Sequence, residues 1–116
     1  IFAFPDEIAE FCSRTGIKIT LDTSHLSMHC NYRNSNFSDA LNVLNPFTSH
    51  WHIGDAKGNN GEGVTIGSGD IEFRDVIQSI SLAQTMIVET WQGHRESGAG
   101  FKRDLNYLAN LIEKMK

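Results

Sequence analysis

A chain of 116 residues has room for one modest domain, and its 40% hydrophobic content is that of a folded globular protein, not a disordered one. No apolar run approaches the roughly 20 residues that span a bilayer, and a net charge of −4 disfavours a nucleic-acid backbone as partner. Cys12 and Cys30 lack C-x-x-C spacing, which fits a reducing cytoplasm better than a disulfide scaffold.

The opening Ile1-Phe-Ala-Phe-Pro5 has neither an initiator Met nor a basic leader, and reads as the start of a piece excised from a longer chain. Pro5-Asp6-Glu7 then opens a helix well, with Pro in the first turn and two acids at the positive end of the dipole. Ile8, Phe11 and Cys12 form its apolar stripe, and Gly16 suits the stop. Cys12 is expected in the core. A first strand follows at about Lys18–Asp22. The polar, Asn-rich segment Thr23–Phe37 reads as a long loop. Ser38-Asp39 suits the cap of a short helix through Leu44, ended by Asn45-Pro46. A second strand is expected at about Ser49–Ile53, then a Gly/Asn-rich loop over Gly54–Gly69. Asp70 or Ser68 suits the cap of a helix carrying Ile71, Val76, Ile77 and Ile80. The third strand is Thr85–Thr90, rich in β-branched residues. A loop over Gln92–Gly100 leads to a last helix with Phe101, Leu105, Leu108, Leu111, Ile112 and Met115 in phase.

Helices and strands therefore alternate, which implies a parallel sheet with right-handed crossovers. The strands put polar groups on one face: Thr20 and Asp22, His50 and His52, Thr85 and Glu89. A doubly covered open sheet would be apolar on both faces. The expected fold is α/β: part of a (β/α)₈ barrel, about three βα units with a leading helix. In such barrels, functional groups gather at the C-terminal ends of the strands. Asp22, His52 and Glu89 stand at three such ends. A carboxylate after Met86-Ile87-Val88 is costly to bury unless it is paired or bound to a metal.

Four stretches in order carry a resemblance. They are Leu21-Asp22-Thr23-Ser24-His25, His52-Ile53-Gly54-Asp55-Ala56, Gly67-Ser68-Gly69-Asp70-Ile71-Glu72-Phe73 and Val88-Glu89. Together they resemble the xylose isomerase-like TIM-barrel superfamily, which includes sugar and sugar-phosphate isomerases and epimerases and endonuclease IV. The resemblance covers most of the chain and corresponds to the C-terminal part of the barrel. It implies that Asp22, His52 and Glu89 bind one divalent cation, Mn²⁺, Mg²⁺, Co²⁺ or Zn²⁺, and that His25 contacts substrate. The family's fourth ligand, a Glu on an earlier strand, has no counterpart in this chain. In the epimerase branch that Glu and the one matching Glu89 form an acid/base pair across the substrate, which makes Glu89 the catalytic candidate. Epimerases often carry an Arg a few residues after the His matching His52; Gly58 stands near that place with Lys57 beside it, so Lys57 is the substrate-binding candidate there. The Asp-x-His that gives endonuclease IV its extra zinc ions is replaced by about Gly61-Glu62-Gly63. That favours an isomerase-like branch over a nuclease or hydrolase of the same fold; a third reading is a non-catalytic interaction domain.

Other features have two readings. The glycines of Gly54–Gly69 suit an anion cradle, but more often mark plain turns. Gly98-Ala99-Gly100 precedes a helix start where barrels often bind phosphate, with Arg95 and His94 nearby; Arg95 is thus a substrate-binding candidate. His50 is expected to be packed or hydrogen-bonded, and Trp91 to pack the rim. The expected activity is proton transfer next to the carbonyl of a sugar or sugar phosphate in the full-length, cytoplasmic enzyme. With one acid/base carboxylate, the chain alone is expected to turn over little. Open sheet edges predict self-association, or association with the rest of the barrel.

Overall fold

The computed structural model describes residues 4–116. Ile1–Ala3, read above as part of an excised start, lie outside these residues. The chain runs through α1 (Pro5–Thr15), β1 (Ile19–Asp22), α2 (Thr23–Arg33), α3 (Phe37–Leu44), a 3₁₀ turn (Asn45–Phe47), β2 (Thr48–Ile53), β3 (Asp55–Lys57), β4 (Gly61–Val64), α4 (Phe73–Ser79), β5 (Thr85–Val88) and α5 (Arg95–Met115). The strands β1, β2 and β5 form a parallel sheet in the order β1-β2-β5. This is the mixed α/β architecture of a partial (β/α)₈ barrel.

Helices cover one face of the sheet. Leu21, Trp51 and Ile53 bury there against Leu26, Leu41, Leu44, Phe73, Val76 and Leu108. The opposite face carries Thr20, His50 and His52 and has no helical cover among the described residues; Thr20 is exposed, and His50 meets the Thr85 hydroxyl at 2.6 Å. That polar face is the one expected to line a barrel interior. Gly16 ends α1 in the left-handed region, φ 74°, its N–H donating to the Cys12 carbonyl, and Cys12 is buried.

Three expectations need correction. Thr23–Arg33 is a helix, not a loop. Asp22 caps it by accepting the His25 N–H at 2.9 Å. Its buried face is Thr23, Ser24, Leu26, Ser27 and Cys30, a helical stripe made largely of small hydroxyls and therefore silent to a hydrophobic pattern. The Thr23 hydroxyl accepts the Gly54 N–H at 3.0 Å and donates to the Gly54 carbonyl at 2.7 Å, which ties α2 to the end of β2. Second, the Gly/Asn-rich segment is not one loop: it contains the antiparallel β3–β4 hairpin. Third, Glu72 caps α4, rather than Asp70 or Ser68, and Asn36 caps α3, rather than Ser38-Asp39. The loop expected before the last helix is close to what is found: Glu96, Ser97 and Gly98 are left-handed, with φ of 51°, 57° and 80°, and the regular part of α5 starts after them.

The loop after the hairpin is organised by Asp55, which is fully buried. One carboxylate oxygen accepts the N–H groups of Ala56 at 2.8 Å and Ile71 at 3.2 Å; the other accepts those of Gly67 and Gly69, both at 2.9 Å. A buried N–H left without an acceptor costs about 1–3 kcal/mol. Asp55→Ala strands four. Urea denaturation is expected to show a loss of about 3 kcal/mol or more; an unchanged midpoint would contradict the role given to this carboxylate.

Candidate metal centre

Parallel register sets the site. Asp22 pairs with His52 across β1 and β2, and His52 with Ile87 across β2 and β5. The Glu89 N–H continues the ladder one step past β5, donating to the Ile53 carbonyl at 2.9 Å. Three side chains at three strand ends therefore meet. One ligand atom from each of Asp22, His52 and Glu89 lies within 4.8 Å of the other two. Asp22 and His52 are half-buried and Glu89 is exposed. His52 Nδ1 is 2.6 Å from Glu89 Oε2.

The donor set fits a divalent cation. Atoms about 2.1 Å from a common ion lie roughly 3 to 4 Å apart, a spacing the cluster allows. Two carboxylates and an imidazole suit the borderline and harder divalent ions. Among the described residues this is the one group of three such side chains.

His25 stands beside the cluster. Its Nδ1 is 2.9 Å from Asp22 Oδ2 and its Nε2 is 3.2 Å from Glu62 Oε1. The hydrogen bond with Asp22 raises its pKa above 6.5; partial burial opposes this, and the negative charges of Asp22, Glu62 and Glu89 reinforce it. Glu62 was seen in the sequence only as part of a departure from the endonuclease pattern. The hairpin brings it back over the strand ends. The signal that could have found it is the short run of glycines around an acid, Gly61-Glu62-Gly63, which is turn-compatible but also permits a bulged edge.

Two clefts adjoin the cluster. One, of about 470 Å³, is bordered by Glu62, Glu89 and Trp91. The other, also about 470 Å³, runs from Glu62 and Trp91 to Arg95 and Arg103. Arg95 thus lines the second cleft, which shares Glu62 and Trp91 with the first but holds none of Asp22, His52 and Glu89. Lys57 does not: it sits beside the hairpin turn, lines neither cleft, and its ammonium lies 3.5 Å from Asp70. The Gly58 N–H, with Lys57 adding to it, lowers the pKa of that Asp70. Trp91 does not pack the rim as expected but is 74% exposed.

Alternating helices and parallel strands, with a cluster of O and N donors at the strand ends, define a chain built on the barrel plan. The family model described as xylose isomerase-like TIM barrel matches residues 2–111. The chain belongs to that family. No curated protein matches it. No helix among the described residues is long and apolar enough to cross a membrane.

A group whose pKa is raised by folding adds stability that is full below the unfolded value and is lost as pH rises through the folded one. For His25 that loss begins above 6.5. In the metal-free chain, NMR titration of the His25 ring is expected to give a midpoint above 6.5, and Asp22→Asn to lower it. A midpoint at or below 6.5 would show that the Asp22 contact does not hold in solution.

Proposed function

We propose that the chain is the C-terminal part of a metal-dependent sugar or sugar-phosphate isomerase or epimerase, acting by proton transfer next to a carbonyl. The observation that carries this reading is the convergence of Asp22, His52 and Glu89 at the ends of three parallel strands. They are the three residues the family resemblance marks as ligands. The cation, Mn²⁺, Mg²⁺, Co²⁺ or Zn²⁺, supplies positive charge beside the substrate carbonyl oxygen.

The chain's own residues have distinct tasks. Asp22, His52 and Glu89 would hold the cation. Glu89 moves the proton: it is exposed and borders the cleft where substrate would lie. His25, raised in pKa and held between Asp22 and Glu62, offers N–H groups to a substrate oxygen once Glu62 yields its contact. His50, bound to Thr85, is a supporting histidine and not a ligand. The acidic surroundings disfavour a nucleic-acid substrate.

The sheet's two outer strands have no neighbour on their free edges among the described residues, and Ile17, Met86 and Ile87 are exposed beside them. These edges support pairing with a second copy or with the remaining strands of a barrel. A sedimentation-velocity species heavier than the monomer at micromolar concentration is expected; a stable monomer would count against self-pairing.

Calorimetric titration with Mn²⁺ tests the centre. Loss of an outer-shell partner alone costs about 10- to 100-fold in affinity, so Glu89→Gln and Asp22→Asn are expected to weaken binding by at least that much. Unchanged affinity in either variant would remove that residue from the site. With Mn²⁺ and a ketose in deuterated water, exchange next to the carbonyl is expected to stay near background, because a two-sided proton transfer lacks its second carboxylate. Exchange well above a Glu89→Gln control would mean that the chain holds a complete site.

A further inference from the structure

We infer that Thr23 and Thr90 are positioning residues: they fix the carboxylates that precede them, Asp22 and Glu89, around the end of the central strand, so that the cluster is assembled before any cation arrives. This inference rests on the reading above of Asp22, His52 and Glu89 as one centre, and deepens it.

The two acids share a pattern. Each is followed at once by a threonine, Asp22-Thr23 and Glu89-Thr90. Both threonines are buried, whereas Asp22 is half-buried and Glu89 exposed. Successive side chains of an extended chain point to opposite faces. The acid is therefore turned to the cluster and the next hydroxyl inward. A buried hydroxyl without a partner is costly, so each one is committed to a definite partner. Branching at Cβ restricts χ1 and keeps that hydroxyl in one direction.

Thr23 grips the end of β2. Its hydroxyl accepts the Gly54 N–H at 3.0 Å and donates to the Gly54 carbonyl at 2.7 Å, with the His52 carbonyl 3.4 Å away. Both backbone groups of the residue two places beyond His52 are thus held by the residue next to Asp22. Turning either strand end relative to the other breaks two bonds at once.

Gly54 also meets the third strand. A Cβ there would lie 3.0 Å from the Glu89 carbonyl oxygen and 3.6 Å from the Ser24 Cβ, so glycine lets the Glu89 backbone close on this point. The Glu89 N–H donates to the Ile53 carbonyl at 2.9 Å. Thr90 then holds the segment from α5. It borders both clefts, but its hydroxyl is committed to the fully buried Asp104 carboxylate, whose other oxygen takes the Arg103 Nε at 3.2 Å. The end of β2 thereby carries both neighbours on two successive residues, Ile53 and Gly54. Ligand geometry has to be held to within about 0.5 Å, and an exposed glutamate is held that closely only if its backbone is.

The test combines Mn²⁺ calorimetry with amide hydrogen exchange in EDTA on the same variants. Thr23→Val keeps the shape and removes the hydroxyl. It is expected to weaken Mn²⁺ binding by ~10-fold or more, as loss of an outer-shell partner does, and Thr23→Ser to recover most of that. In EDTA the Glu89 amide, bonded to Ile53 and not to Thr23, is expected to exchange ~10-fold faster in Thr23→Val, together with the Gly54 amide. Thr90→Val is made with Asp104→Asn, so that no buried charge is left bare, and compared with Asp104→Asn alone; a further loss of ~10-fold in Mn²⁺ affinity is expected. Cys12→Ala, on the buried face of α1, is the control for lost stability: its urea midpoint is expected to fall and its Mn²⁺ affinity to stay. Mn²⁺ affinity that survives both valine substitutions overturns the inference. So does an unchanged Glu89 amide in Thr23→Val, or a Cys12→Ala variant that loses Mn²⁺ as strongly. A wild-type chain that binds no Mn²⁺ counts against the cation centre itself, and the exchange measurements, which need no metal, then decide the inference.

Discussion

The buried carboxylate of Asp55 is the constraint on which the upper end of the structure depends. It lies just past β2 and draws four backbone N–H groups onto itself. An unpaired charge at that depth would be costly, and backbone donors compensate it. The loop must therefore return to the strand end, where Ile66 and Ile71 bury in the core. A side chain at Gly69 would collide with the Asp55 carboxylate, which is why that position is glycine. The return closes the β3–β4 hairpin over the sheet. Ser24 then takes the Gly63 N–H at 3.0 Å, and Glu62 arrives beside His25.

The same physics assembles the site from the other side. In a parallel sheet with side chains of period two, residues in register point to one face at one level. Asp22 and His52 are so aligned, and the ladder extends to Glu89. Ionisable groups are tolerated there because the strand ends are only partly covered. Asp22 does double work: it caps α2 through one oxygen and meets His25 through the other. The beginning of α2 and the position of a candidate ligand are thus the same event. Behind Glu89, Thr90 hydrogen-bonds the fully buried Asp104, anchoring the segment to α5.

What the sequence made legible follows from this. The strands and Asp22, His52 and Glu89 were readable because a polar residue ending an otherwise β-rich run has few structural excuses. The apolar stripes of α1 and α5 were readable by their period. Helix α2 was not, because Thr23, Ser24 and Ser27 make up most of its buried face; Thr23 bonds the end of β2 and Ser24 the hairpin instead of joining an oily stripe. The hairpin was hidden among glycines whose partner, Asp55, lies 12 and 14 positions away from Gly67 and Gly69. Glu62 was missed for that reason, and the hairpin carries Lys57 to Asp70, away from the two clefts beside the cluster. In the first glycine segment the N–H groups of Gly58, Gly67 and Gly69 are taken by the internal carboxylates Asp70 and Asp55, partners too distant in sequence for a local pattern to show.

The central claim is that three strand ends form one cation site. Crystals of the chain soaked in Mn²⁺ and measured at an energy with strong manganese anomalous scattering test it most directly. The expected result is an anomalous peak at about 2.0–2.2 Å from an oxygen of Asp22, a nitrogen of His52 and an oxygen of Glu89. A peak held elsewhere, or an ion that leaves His52 still bound to Glu89, would contradict the claim.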